Sequence, residues 1–386
     1  MPQALEDEYE GWLSPRIETD FLAYADTLFG LFGDRVKKWI TINEPWTLCT
    51  ISYTVGAFAP GRCSDRQVCS KGNSTTEPYI VAHNLLNSHA AVVELYRNKY
   101  QRLQKGMIGI TLNMDWFEPL TYTRQNFKAS KRRHEFSLGW FMDPIIFGFY
   151  PRSMFHFLGN RLPAFTNEQI KRLKGSYDFI GFNHYSSKYV EHIEPPIISN
   201  GWFSDVHVRQ TEFRYPNHQG LIGPQAYSSW LHSVPWGFRK ALKWIRLRYG
   251  NPFLYITENG CDDPFIANAN FSDITNDAFR KQYLSGYLRA MNQAIQEGSD
   301  IRGYFVWTLM DNFEWASGYS ARFGLFYVNY SDPKRTRYPK SSAAFYSNYV
   351  KTQEYQVSAI VERAKRVREE MFNGKGNGMH SPADDS

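Results

Sequence analysis

Lys38-Trp-Ile-Thr-Ile-Asn43-Glu44-Pro45 and Phe253-Leu-Tyr-Ile-Thr-Glu258-Asn259-Gly260 are two short β-forming runs, and each ends in a carboxylate beside an asparagine. Three further β-rich runs end in polar residues: Gly106 to Asp115, Phe179 to Tyr185 and Ile301 to Asp311. Helical patterns separate most of them, and that alternation reads as βα units around a parallel sheet. In such a sheet the strand C-termini converge on one end, so Glu44 and Glu258 can face each other although far apart in the chain. Two facing carboxyl groups suit hydrolysis of a glycosidic bond: one attacks the anomeric carbon while the other protonates the departing oxygen, at a separation of about 5 to 5.5 Å. An ionised Glu258 would raise the pKa of Glu44 by like-charge repulsion and keep it protonated. Taken singly, each glutamate reads better as an ordinary strand-end residue.

One helix is strongly signalled, from Glu77 to about Leu103, with Thr75 or Thr76 as its cap, Pro78 in the first turn and Gly106 after its end. Val81, Leu85, Ala91, Leu95 and Leu103 should face the sheet. His83 and His89 stand six apart on it, which is no metal-binding spacing, and read as structural. The stretch Glu191 to Tyr227 is rich in turn formers without a period and reads as a long loop that could wall a pocket. After Tyr349 the pattern predicts an amphipathic helix to about Phe372, then a polar tail, NGKGNGMHSPADDS, expected to be disordered.

Composition narrows the function classes. The chain of 386 residues is 42% apolar and 21% charged, enough for a large core, and its 28 Phe, 25 Tyr and 11 Trp suit either that core or sites that stack on apolar ligand faces. Net charge is +6, with basic runs at Arg124 to Arg133 and Glu362 to Glu370. Neither interleaves stacking aromatics, so both read as solvated faces and nucleic acid is not expected as a partner. No apolar run reaches the roughly 20 residues of a membrane span, and the opening MPQALEDEYEGWLSPRIETD is too acidic for a signal peptide. A phosphate-cradling glycine loop, HExxH and G-x-S-x-G are absent from the chain, and neither cofactor nor metal is called for. Cys63 and Cys69 stand six apart in a loop rich in Gly, Ser and Asn, and on spacing alone they could pair or remain free thiols. Asn-x-Ser/Thr triplets at Asn73, Asn270 and Asn329 point weakly to an oxidising compartment.

The segments Thr41-Ile-Asn-Glu-Pro45 and Ile256-Thr-Glu-Asn-Gly260, in that order, resemble the two catalytic signatures of glycoside hydrolase family 1. NSTTEPYIVAHNLLNSHAAVVELYR, LGWFMDPIIFGFYPRSM, FIGFNHYSS, GYFVWTLMDNFEWASGYSARFGLFYVNY and RYPKSSAAFY extend the resemblance, especially to plant-type β-glucosidases, as far as Tyr349. The resemblance implies a (β/α)8 TIM barrel and a small-molecule β-glycoside substrate, with Glu258 as nucleophile and Glu44 as acid/base. It further implies that Asn43 bonds the sugar 2-hydroxyl, Tyr185 donates to Glu258, Glu314 and Trp315 bind the distal glycone hydroxyls, and Trp307 lies beneath the ring. Trp230, and more weakly Phe323, would shape the aglycone slot. A bridge between Cys63 and Cys69 follows from the resemblance, and with it secretory or vacuolar routing. His184 stands where relatives usually carry an aromatic and receives no role.

The opening Met1 to Pro15 resembles the segment that follows the third barrel strand of the family. The expectation is therefore a partial catalytic barrel over residues 1–350, holding strands 4 to 8 of the family barrel, with a C-terminal helix and tail over 351–386. Five parallel strands cannot close a barrel, so the sheet should show two raw edges, and the chain alone should aggregate or lack turnover. A non-catalytic glycan- or partner-binding module on the same fold is the competing expectation. The retention of both carboxylates speaks against it.

Overall fold

Continuous apolar runs such as Phe179-Ile-Gly-Phe can be satisfied only where both faces of a strand are covered, and these runs form a parallel sheet under helices. The computed structural model describes residues 1–194, 200–214, 220–264 and 270–352. Its main sheet comprises β1 (Lys38–Asn43), β2 (Met107–Asn113), β3 (Phe179–Asn183), β4 (Leu254–Asn259) and β5 (Ile301–Val306) in that spatial order, every neighbouring pair parallel. β3 is buried along its whole length. Gly109 in β2 lets the sheet close up there, since a Cβ would sit 2.2 Å from the Phe179 carbonyl oxygen.

Helices cover one face: α1 (Ile17–Phe32), α2 (Glu77–Leu95), α3 (Arg124–His134), α4 (Trp140–Phe147), α5 (Pro235–Tyr249) and α6 (Ala278–Gln296). Phe29 of α1 packs edge-on against Trp39 of β1, with centroids 5.0 Å apart. In α2, Val81, Leu85 and Ala91 are buried as their spacing predicts. The α-helix ends at Leu95 and continues as wide π turns over Tyr96–Gln101, which shift the side-chain register; Leu103, expected on the sheet side, is 77% exposed. His83 and His89 are fixed by Tyr150 (3.1 Å) and Thr41 (2.7 Å). Much of the aromatic load lies in the core, where Trp140, Trp202, Tyr79, Tyr150 and Phe136 are fully buried.

Two sequence expectations need correction. The stretch from Glu191 to Tyr227 is partly ordered: a short helix, Trp202–Asp205, leads into a strand, Val208–Thr211, that pairs antiparallel with Ser187–His192, itself beside Trp116–Pro119. Its order comes from buried polar anchors that no periodicity reveals; the Arg132 guanidinium donates to the carbonyls of Val206 (2.6 Å) and His207 (2.8 Å). The basic run in α3 is a solvated face only in part: Arg124, Lys128 and Lys131 are exposed as expected, but its last two arginines are not. Arg132 and Arg133 are buried, and the Arg133 guanidinium lies over the rings of Phe117 (4.0 Å) and Trp202 (4.6 Å).

Among the described residues no helix is long and apolar enough to cross a membrane. Residues 341–352 are helical; the predicted continuation to Phe372, the basic run Glu362 to Glu370 and the tail lie outside the described residues. Among the described residues, β1 and β5 each have one paired side only, and they carry exposed apolar side chains, Ile40 at 45% and Phe305 at 55%. Unpaired strand edges with apolar side chains template association. The chain is therefore expected to self-associate in sedimentation velocity, and Ile40→Lys with Phe305→Lys to shift it towards monomer; an unchanged distribution in the double variant would refute the edge as the cause.

Candidate functional site

Because all five strands run in parallel, their C-terminal ends gather the side chains of Asn43, Asn113, Asn183, Glu258 and Asn259 at one end of the sheet. Glu44 follows directly after β1. Its backbone is left-handed (φ 49°, ψ 57°), which turns the chain sharply into Pro45–Thr47. A non-glycine residue in that region is strained, and such strain is held only where surrounding bonds over-determine it.

Those bonds are on hand. Asn183 at the end of β3 donates its amide both to Glu44 Oε1 (2.9 Å) and to Asn43 Oδ1 (3.1 Å), and accepts from the Thr257 hydroxyl (2.5 Å). Asn43 in turn donates to Glu258 Oε1 at 3.3 Å. Two amide side chains thus link the two carboxylates. The second oxygen of Glu44 accepts from Thr47 Oγ1 (2.7 Å), itself held by Asn113 (3.0 Å). The second oxygen of Glu258 accepts from the Tyr185 hydroxyl at 2.7 Å. Tyr185 is positioned in turn: the hydroxyls of Tyr283 (2.6 Å) and Tyr287 (3.0 Å), both on α6, donate to its carbonyl.

The electrostatics separate the pair. Burial, then the charge of Glu258, raises the Glu44 carboxyl to about 7, against the opposing bonds from Asn183 and Thr47. Glu44 keeps partial solvent access, and the charge of Asp115 raises it a little further. Burial also pushes Glu258 up, and there hydrogen bonds from Tyr185, Asn183 and Asn43 oppose it. Glu258 is thus the better stabilised as an anion, and Glu44 the one that holds a proton.

The remaining candidates lie around this pair. Glu314 is raised by burial first and accepts from the Trp307 indole at 3.4 Å; the charge of Glu44 raises it further, and its own charge raises Glu258. Trp230 is half-exposed and meets Tyr185 edge-on at 5.9 Å. Trp315 is 66% exposed and stacks on Phe58 at 5.0 Å, so the loop after α1 and β1 shares that rim. Phe323 differs from expectation: it is buried, packed edge-on behind Tyr185 at 6.3 Å, where it braces that ring without facing open space. His184 is buried and hydrogen-bonded to the Met114 carbonyl. Cys63 and Cys69 form a disulfide with Cα atoms 5.5 Å apart; Gly56, at φ 72°, passes so close that a Cβ would lie 2.1 Å from Cys69 Sγ. Among the described residues no cluster of three His, Cys, Asp or Glu side chains is arranged around a metal position.

Asn183 and Thr47 were not among the sequence candidates. The signal for Asn183 was available: its strand ends in Asn, as those ending at Asn43, Asn113 and Asn259 do. Thr47 had no such signal, since its role depends on the turn made by Glu44. Replacing Asn183 with Ala leaves Thr257, Asn43 and Glu44 each short of a partner, and should cost about 2 kcal/mol in denaturant unfolding, the penalty of buried polar groups left unmade. A loss below about 0.5 kcal/mol would show that the network contributes little to stability.

With this geometry the sequence matches known proteins closely. The family model of Glycosyl hydrolase family 1 matches residues 1–355. Beta-glucosidase 12 of Oryza sativa is 47% identical over 353 residues, spanning 90% of this chain and 68% of the rice protein. Beta-glucosidase 40 of Arabidopsis thaliana is 45% identical over 91% of this chain and 69% of its own length. A solved rice β-glucosidase superposes with TM-score 0.87 at 46% identity, covering 89% of this chain and 73% of that one. A β-glucosidase from the fungus Humicola insolens, solved in complex with glucose, gives TM-score 0.87 at 40% identity over 91% and 73%.

Proposed function

Since the chain belongs to glycosyl hydrolase family 1, we propose that it hydrolyses O-β-glucosides with retention, Glu258 acting as nucleophile and Glu44 as acid/base. The observation that carries this reading is the pair of amide bridges, through Asn183 and Asn43, that joins two carboxylates with different proton preferences at one end of the sheet. The ionised Glu258 attacks the anomeric carbon, the glycosidic bond breaks, and the leaving oxygen takes the proton of Glu44. Glu44, now a carboxylate, then removes a proton from water, whose oxygen displaces Glu258 and frees the sugar with its configuration retained.

Asn43 is assigned to the sugar 2-hydroxyl, a contact that strengthens as charge develops on the ring. Tyr185 holds Glu258 ionised until attack. Glu314 and Trp315 take the distal glycone hydroxyls, Trp307 lies against the ring face, and Trp230 borders the aglycone; Phe323 acts on that slot through Tyr185. An unphosphorylated glycone such as glucose fits a rim that already carries the Glu314 carboxylate. The disulfide and the Asn-x-Ser/Thr triplets support secretory or vacuolar routing.

The five-strand order, with β1 and β5 unpaired on their outer sides among the described residues, supports the finer reading of this sheet as strands 4 to 8 of the family barrel. The same edges favour a second reading, a glycan- or partner-binding module without turnover. Binding of a glucoside without release of glucose separates the two.

A 2-deoxy-2-fluoro glucoside with a good leaving group should label Glu258 and no other residue, read by peptide mass mapping; label on another carboxylate would overturn the assignment. With the Glu44 carboxyl near 7, kcat/KM should fall as pH rises through about 7 and Glu44 loses its proton. In Glu44→Gln that limb should vanish, with turnover of unactivated glucosides down by about 10²- to 10⁴-fold. A basic limb that survives in Glu44→Gln would assign it to another group.

A further inference from the structure

Away from the strand ends, the helical layer carries a second concavity of about 510 Å³, where the last turns of α3 and α4 meet Phe149, the short helix Arg152–Leu158 and the end of α5. Its floor is aromatic. Phe147 and Phe149 stack at 5.8 Å with 22° between their planes, and Phe149 remains 50% exposed. Phe157 lies beneath the Arg132 guanidinium at 4.8 Å.

The charges around this floor do not cancel. Five cations line the cleft against two carboxylates, and both carboxylates are already engaged: Asp143 by Arg248 (2.5 Å) and the Tyr249 hydroxyl (2.7 Å), Glu135 by the Ser153 hydroxyl (2.6 Å), Arg248 (3.4 Å) and, at longer range, Lys131 (3.9 Å). Arg132 gives hydrogen bonds to two neutral carbonyls, and its charge is met only at a distance, by Glu135. Lys128 and Arg152 are exposed at the rim, and among the described residues neither has a carboxylate partner.

We propose that this cleft binds a small anionic aromatic molecule, an aryl phosphate or aryl sulfate, its ring on Phe147 and Phe149 and its oxyanion met by Lys128, Lys131 and Arg152. Stacking accounts for the exposed rings, and charge-assisted bonds from guanidinium and ammonium groups account for the excess of cations. A neutral sugar would leave the cations unmatched, and a bare anion would leave the rings without a partner.

The site stands apart from the strand-end carboxylates, and its test does not read turnover. The whole chain is titrated calorimetrically at low salt with 1-naphthyl phosphate, 1-naphthol and inorganic phosphate. The ester is expected to bind at one site, about tenfold more tightly than either fragment, since both recognition elements act together. Lys128→Glu with Arg152→Glu should weaken it by about tenfold or more, and Phe149→Ala should weaken the ester while leaving inorganic phosphate unchanged. All three side chains are exposed, and circular dichroism checks that the variants fold. An ester no tighter than its fragments, or variants that stay within about twofold of the parent, would overturn the proposal. So would displacement of the ester by a neutral glucoside.

Discussion

The amide of Asn183 is the contact on which the carboxylate end of this sheet depends. It lies on the central strand, its donors reach the ends of β1 on one side, and its acceptor takes the hydroxyl of Thr257 from β4 on the other. Three strands are thereby held in register at the point where backbone pairing is giving out; the β1–β2 and β3–β4 ladders both shift register near these residues. A buried amide with its bonds made stiffens such a place, and the same amide unpaired would cost more than it now contributes. The strained backbone of Glu44 is tolerable because two side-chain bonds and the following turn fix it from outside.

Support for the site extends outward in layers. The Tyr185 hydroxyl reaches Glu258, its carbonyl is held by two tyrosines of α6, and its ring is braced by Trp230 and Phe323. Asn259 adds a cross-tie, donating to the His184 carbonyl and accepting from Tyr304 of β5. Further out, Asp262 accepts from the backbone and hydroxyl of Ser228, so the segment that carries Trp230 is anchored to the segment that follows Glu258. Each layer rests on a helix or strand, which gives tighter placement than loop-borne groups would have.

Much of this was legible in the residues. The five β-runs are the five strands to within a few positions, because continuous apolar runs bounded by helical periods admit few other arrangements. The two glutamates were readable as a pair because a parallel sheet forces strand ends together. Other features were hidden for physical reasons. Buried arginines look solvated in a sequence, since nothing local announces that Arg133 will lie over Phe117 and Trp202. The burial of Phe323 and the bond from Thr47 to Glu44 are set by tertiary geometry, and the π turns after Leu95 change a register that simple helical spacing extrapolates wrongly.

The carboxyl pair also sets a tension between chemistry and stability. Glu44 carries a folded-state pKa of about 7 against an ordinary value of 4.5, so the folded chain holds a proton there that the unfolded chain releases. The sign follows directly: the neutral form stabilises the fold fully below 4.5, and that contribution is lost as pH rises towards about 7. Each tenfold difference in proton affinity between the folded and unfolded chain is worth about 1.4 kcal/mol, before relaxation and partial solvation reduce it. A site poised to donate its proton near neutrality is therefore one whose burial weighs against the fold under those conditions. Buried paired charges tie the later segments together. Asp311 engages Arg322 (3.0 Å) and Lys340 (3.3 Å), and Arg280 engages Asp277 (2.5 Å) while donating to the carbonyls of Cys261 and Arg322. Such buried pairs cost desolvation to form, but they cost more to break, because removal of either partner strands an uncompensated charge. They tie the segments that follow β4 and β5 to one another and to α6.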